Sequence, residues 1–279
     1  MPALSVIIPI KNEEKNLPAC LAALAGWADE IVVADSGSMD RSAEIASQFG
    51  ATIIQFEYQG GWPKKRQWVL DTYPLRNDWV LLLDADEILL PPLKEEIAQA
   101  IQQPNCSGYT LLFQMEFLGK RLRFAYPGLR KLSLFRKGTG RYEKRLEDQD
   151  ASMADMEIHE HVVVDGAVRH LQNPVLHRNY NSLSRYILKH NEYSNWEAKV
   201  LTQGGAEELP PAFWGNQAQR RRWLKRYLLR MPGTAMAYFF YNYVLRGGFL
   251  DGKPGLYYCL FAATQMVHVK AKIYELEQT

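Results

Sequence analysis

Apolar positions in the N-terminal third of the chain come in short unbroken runs separated by stretches of helical periodicity. The runs are Leu4-Ser5-Val6-Ile7-Ile8-Pro9-Ile10, Glu30-Ile31-Val32-Val33-Ala34, Ala51-Thr52-Ile53-Ile54-Gln55-Phe56 and Trp79-Val80-Leu81-Leu82-Leu83. Runs of this length without polar alternation read as strands buried on both faces of a parallel sheet. Between them, Leu17, Leu21 and Leu24 recur at helical spacing after Asn12, which reads as the helix cap. A second helix is expected from Ser42 to Phe49, with Gly50 as its C-terminal stop. Strands alternating with helices of about ten residues predict βαβ units, and therefore an α/β fold on a parallel sheet.

The runs end in polar chemistry. In open α/β sheets ligands bind beyond the carboxyl ends of the strands. There the chain carries Asp35-Ser36-Gly37-Ser38-Met39-Asp40-Arg41-Ser42 after one strand and Asp84-Ala85-Asp86-Glu87 after another. Asp84 and Asp86 have no obvious cation beside them in the local sequence, so their mutual repulsion calls for a hard divalent cation. The plain alternative is an acidic helix start, with Asp86 or Glu87 near its N-terminus. After Gly60-Gly61-Trp62-Pro63 stand three consecutive cations, Lys64, Lys65 and Arg66, just before a helix. Such a group either neutralises a diphosphate or forms a solvated basic face.

At 279 residues the chain can bury a full core, enough for one large domain or one domain with an appendage. Hydrophobic content of 47% with 23% charged residues is globular usage, so disorder is not expected. A net charge of +2 and the lack of a recognisable module argue against nucleic-acid binding. Cys20, Cys106 and Cys259 are widely separated in apolar contexts and read as reduced packing residues of a cytosolic protein. The chain enters a strand at once, and no secretory signal is expected.

From residue 180 the pattern turns helical. Ser184 to Val200 reads as a wet amphipathic helix, and Gly204-Gly205 with Pro210-Pro211 marks a boundary. Gln219 to Arg230 then carries six cations in twelve residues, with Trp223, Leu224, Tyr227 and Leu228 on one face. Two aromatic-rich stretches follow, Ala235 to Leu245 and Leu256 to Val267. Each is too short to span a bilayer, which takes about 20 residues, but suits a helix lying among headgroups with basic side chains on anionic lipid. The alternative is packing on the rest of the chain or on a second copy.

The segments SVIIPIKNEEKNL, VVADSGSMDRS and WVLLLDADE, in that order, resemble the family 2 glycosyltransferases of GT-A fold. Within that family the chain is similar to the WaaE-type lipopolysaccharide-core beta-1,4-glucosyltransferases, to about residue 200 and more loosely to its end. The resemblance implies an open, mostly parallel twisted sheet flanked by helices, with a helical C-terminal extension. It implies a catalytic domain over 1–200, made of a nucleotide-sugar half (1–100) and an acceptor half (101–180), followed by a helical region over 201–279. The implied reaction moves a hexose, glucose by the subgroup, from a nucleotide-diphosphate sugar such as a UDP-hexose, with inversion and with Mg²⁺ or Mn²⁺. The acceptor would be a hydroxyl of a cell-envelope glycan or lipid-linked molecule such as the lipopolysaccharide inner core, reached at the cytoplasmic face of the membrane.

The same resemblance assigns roles by position. Backbone around Pro9 to Lys11, with Glu13 and Asp35, would contact the nucleoside; the family often has two acids where this chain has Asp35 and Ser36. Lys64, Arg66 and Gln67 would lie on the diphosphate. Asp86 would ligate the metal directly, Asp84 would hold the ribose or a metal-bound water, and Ala85 between them stays on the nucleotide side. His177, ending Pro174-Val175-Leu176-His177, would be a further metal ligand. Inversion needs a general base, and Glu160 matches the His-Glu of the WaaE-like group; Glu147 and Asp148 are the runner-up, as Glu-Asp is the commoner family spelling. A zinc site at His159, Glu160 and His161 lacks the spacing of His-Glu-x-x-His. A nucleotidyltransferase is the competing enzyme class, but it should carry a Gly-rich basic loop after the first strand, where this chain has Pro9-Ile10-Lys11-Asn12-Glu13-Glu14.

Overall fold

The computed structural model describes residues 1–144, 160–178, 182–203, 209–215, 217–228 and 231–278. These fall into two compact units. The first holds the described residues of 1–113, 129–142 and 160–178, and the second those of 114–128, 143–144 and 182–278.

The first unit opens with β1 (Leu4–Ile10), α1 (Leu17–Leu24), β2 (Glu30–Asp35), α2 (Ser42–Gln48), β3 (Thr52–Gln55), α3 (Lys65–Thr72) and β4 (Trp79–Leu82), the expected alternation. The four strands pair in parallel in the order β3-β2-β1-β4. Every residue of β1 and β4 is buried, which explains the absence of polar alternation. Leu4, Val6 and Ile8 pack with Leu17, Leu21 and Leu24 of α1 on one face of the sheet. Ile7, Val32, Val80 and Leu82 pack with Val69 of α3 on the other.

Beyond β4 the sheet becomes antiparallel. Next come β5 (Glu87–Leu89), α4 (Pro91–Ala100), β6 (Gly108–Phe117), β7 (Lys120–Arg121), β8 (Leu129–Arg136), β9 (Gly140–Tyr142), β10 (Val162–Val164) and β11 (Val168–His177). The order continues β4-β8-β6-β11-β5, with β8 antiparallel to β4 and β6, and β5 antiparallel to β11. The fold is α/β on a mixed sheet whose parallel half is the part foreshadowed by the unbroken apolar runs. One register matters for the site: in the β5–β11 pair, Glu87 stands opposite His177.

The loop after β1 departs from expectation in one respect. Asn12 is not the cap of α1, which starts at Leu17 after Asn16. Asn12 instead adopts φ 57°, a left-handed conformation that Asn tolerates better than most residues. Its side-chain oxygen accepts the Met39 N–H at 2.8 Å, while Ser38 Oγ accepts the Asn12 N–H at 2.9 Å. Glu13 N–H donates to Ser42 Oγ at 2.8 Å and Glu14 N–H to Asp40 Oδ2 at 3.1 Å. The loops after β1 and β2 are thereby stitched into one rim.

The second unit contains α5 (Leu183–Gln203), α6 (Gln217–Leu228), α7 (Thr234–Phe240) and α8 (Gly252–Gln278). A π turn over Tyr241–Leu245 continues α7. The apolar stretch read as Leu256 to Val267 is part of the 27-residue α8, whose Val269 and Ile273 keep the helical period and pack on Ala198 of α5. No helix among the described residues is long and apolar enough to cross a membrane.

Candidate active site

The start of α3 organises the carboxyl edge of the first unit. Lys64, Lys65 and Arg66 are all buried, at 1%, 0% and 5% exposure. Burying a cation costs several kcal/mol unless it is paired, and each of the three has a partner on a different loop. Lys64 Nζ pairs with Glu160 Oε1 at 3.2 Å. Lys65 Nζ donates to the Ile10 carbonyl at the end of β1 at 2.9 Å. Arg66 pairs with Asp84 after β4. Gln67 holds strand β9, accepting the Tyr142 N–H at 2.7 Å and donating to Asp71 at 2.7 Å. Three cations that look alike in sequence thus reach the base candidate, the end of β1 and the acidic loop.

The acidic loop is tightly coupled. Asp84 N–H donates to Glu87 Oε2 at 2.8 Å, and Lys131 of β8 lies 3.3 Å from Glu87 Oε1. Burial opposes ionisation of Asp84, but the Arg66 guanidinium, helped by Lys131, overrides it and holds the carboxyl below its ordinary range. Glu87 goes the other way, pushed up by burial and then by the charge of Asp84. Asp86 Oδ2 lies 3.3 Å from His177 Nε2, and the Asp86 carbonyl accepts the Arg178 N–H at 2.8 Å. Burial disfavours imidazolium at His177, yet the charge and hydrogen bond of Asp86, with Glu87, hold its pKa above the usual value.

Asp86, Glu87 and His177 each offer a donor atom, and these atoms lie within 4.8 Å of one another. Two carboxylates and an imidazole suit Mn²⁺, and the carboxylates suit Mg²⁺. The neighbouring carboxylate charge that raises the proton affinity of His177, and adds to the effect of burial at Glu87, would equally favour a cation. Glu87 was not singled out as a ligand in the sequence; its signal is adjacency to Asp86, and the β5–β11 register brings it to His177. Lys131 enters from a strand whose neighbourhood in sequence announces nothing.

At the end of β2, Asp35 is 2% exposed, and its Oδ1 accepts from Ser38 N–H at 3.0 Å and Ser38 Oγ at 2.6 Å. Gln55 Nε2 lies 3.5 Å from its Oδ2. Asp35 therefore shapes its own loop as well as facing the edge. Glu13 Oε2 accepts from Asn16 Nδ2 at 2.6 Å. Pro9 is buried in β1, Lys11 is exposed at its end, and Ala85 is packed into the core between the two aspartates. Glu160, 5% exposed, lies two residues before the first residue of β10. Glu147, Asp148 and His159 lie outside the described residues.

The sequence profile described as "Glycosyl transferase family 2" matches residues 5–162. An uncharacterized glycosyltransferase of Rickettsia felis is 29% identical over 211 residues, covering 74% of this chain and 72% of that protein. A TPR repeat-containing protein of Synechococcus elongatus is 31% identical over 112 residues, which are 40% of this chain but 27% of that much longer relative. Among solved structures, a mannosyltransferase from Pyrobaculum calidifontis in complex with GDP-Man and Mn²⁺ superposes with a TM-score of 0.50 at 14% identity, over 98% of this chain and 87% of that one. At that identity the likeness is one of fold.

Proposed function

The chain belongs to glycosyl transferase family 2, and from that premise we propose that it is an inverting hexosyltransferase. It moves glucose from a UDP-sugar to a hydroxyl of a cell-envelope glycan or lipid-linked acceptor such as the lipopolysaccharide inner core. The observation that carries this reading is the convergence of the buried Lys64–Glu160 pair and the part-buried Arg66–Asp84 pair, two residues apart at the start of α3, beside the Asp86, Glu87 and His177 donor set.

Glu160 accepts the proton of the attacking hydroxyl, with Lys64 Nζ, 3.2 Å away, orienting its carboxylate. Asp86, Glu87 and His177 would hold Mg²⁺ or Mn²⁺, which when bound would neutralise charge on the departing diphosphate. Pro9, Lys11, Glu13 and Asp35 form the nucleoside rim, and Arg66 keeps Asp84 ionised at its inner end. Residues 1–200 make up the catalytic part, and 201–279 bring it to the cytoplasmic face of the membrane as a peripheral protein. That placement is supported by Met236, Phe240, Tyr241 and Leu245, all more than half exposed along one side of α7 and its π turn.

A panel of nucleotide sugars tested for hydrolysis and transfer, with and without Mn²⁺, checks the reading. UDP-glucose turnover that EDTA abolishes and Mn²⁺ restores is expected. Asp86→Ala should abolish transfer while leaving the fold intact by circular dichroism. Turnover indifferent to both EDTA and Asp86→Ala refutes the metal-assisted assignment.

A further inference from the structure

Helix α8 carries two apolar seams on opposite sides. One runs through Cys259, Met266, Val269, Ile273 and Leu276, and it packs inside the second unit, its C-terminal part against Ala198 and Leu201 of α5. The other runs through Tyr257, Leu260, Thr264, Val267, Ala271 and Tyr274, at intervals of three and four residues in strict alternation. Every member of this second seam is exposed, Tyr257, Leu260, Val267 and Tyr274 by 47%, 44%, 51% and 66%. Among the described residues nothing covers it.

Spacing and charge say what fits. A strict 3,4 alternation is the a/d stripe of a coiled-coil seam, narrower than the apolar face of a helix that lies flat on lipid. From Tyr257 to Tyr274 it extends about 25 Å at 1.5 Å per residue. Its flanks carry both signs: Lys270 precedes the a-type position Ala271, and Glu275 follows the d-type position Tyr274. In a parallel pair of identical helices these g and e positions, five residues apart, face each other across the seam, giving two symmetric Lys270–Glu275 contacts. Lys270 Nζ donates to the Met231 carbonyl at 2.5 Å, and an ammonium has further protons to give. Against an anionic bilayer Glu275 and Glu277, at the C-terminal end of the seam, would be repelled.

We infer that α8 is a homodimerisation helix, its outer seam paired in parallel with the same seam of a second copy of this chain. The small residues Thr264 and Ala271 at a-type positions let the two helices approach closely. Leu260, Val267 and Tyr274 supply the d-type layers.

The test is the mass of the full-length protein in solution by light scattering and sedimentation across a concentration series. Wild type is expected as a dimer and Leu260→Lys/Val267→Lys as a monomer that keeps the wild-type far-ultraviolet spectrum, because both side chains are exposed in the single chain. Lys270→Glu should weaken the dimer several-fold, and Lys270→Glu/Glu275→Lys should restore it. Ala271→Cys should give a disulfide-linked dimer on mild oxidation, since a–a′ positions in a parallel pair come within disulfide reach and the native cysteines are buried. A wild type that stays monomeric overturns the inference, as does a dimer whose mass ignores the seam substitutions. So does a monomeric wild type that sediments with anionic vesicles through Leu260 and Val267.

Discussion

Lys64 and Glu160 are separated by 96 residues in sequence and by 3.2 Å in space, both out of water. Breaking a buried pair by removing one partner leaves an uncompensated charge and typically costs about 3–5 kcal/mol. Lys64→Met is therefore expected to lower the unfolding free energy by about that much, measured in urea. It should also lower the transfer rate, because Glu160 loses the cation 3.2 Å away that orients it. Lys64→Arg should recover most of both effects. Glu160→Gln keeps shape without accepting a proton, so transfer should fall about 10²–10⁴-fold with nucleotide-sugar binding retained. If Lys64→Met leaves the transfer rate where it was, Lys64 does not act on the base. The residue types at the edge were legible because polar groups at buried strand ends are conspicuous. Their partners were not: the local sequence around Asp84 offers no cation, yet Arg66, 18 residues earlier, pairs with it. Glu87 was passed over because a neighbouring acid looks like the start of a helix, whereas it begins a short strand.

At the scale of elements, the parallel strands could be read directly, since burial on both faces leaves an unbroken apolar run. Most of the antiparallel half was hidden: apart from the strand end at Pro174 to His177, β8 and β11 mix buried and half-exposed positions without clean alternation, so no period marks them as sheet. Elements also depend on single polar anchors that periodicity ignores. The Asp251 carboxylate, 2% exposed, accepts the N–H groups of Arg123, Phe124 and Ala125 at 3.2, 2.9 and 2.8 Å. Asp251→Ala would orphan three donors and is expected to cost about 3 kcal/mol, with Asp251→Asn losing less because one acceptor oxygen remains. Melting temperatures that rank Asn with Ala would show that charge, not acceptor number, matters there. On α5, His190 stacks 4.1 Å from the Tyr186 ring, with Tyr193 at 5.5 Å. Burial first, then the charge of Lys189, pull its pKa down to about 4 against the opposing hydrogen bond of Gln265. The unfolded chain then binds more protons than the folded one between the ordinary value near 6.5 and about 4. Stability should be complete above that window and fall by about 2 kcal/mol as the pH is lowered to about 5. His190→Phe should flatten that part of the urea-derived profile, and an unchanged slope would assign the acid sensitivity elsewhere.

For the molecule as a whole, a net charge of +2 hides an uneven distribution. The second unit places Arg220, Arg221 and Arg226 of α6 outward, together with the exposed apolar side of α7 and its π turn. Arg222 is the exception. It is buried in an ion pair with Glu143 and also donates to the Leu209 carbonyl at 2.6 Å, so it belongs to the scaffold of the unit. The run of cations read from the sequence as one cluster is thus two populations, and only the outward one can meet lipid. Each exposed Lys or Arg near an anionic surface contributes about 1 kcal/mol, and the apolar side chains add a term that salt does not screen. Arg221→Glu/Arg226→Glu should therefore release the protein from vesicles containing anionic lipid, and raised salt should do so in part. Phe240→Asp/Leu245→Asp should release it with little dependence on salt. Arg222→Glu, by contrast, should unfold the second unit rather than merely detach the protein. These two effects separate by comparing sedimentation with the far-ultraviolet melting curve. A wild type that stays in the supernatant at low salt removes lipid from the account, leaving the exposed side of α7 to a protein partner.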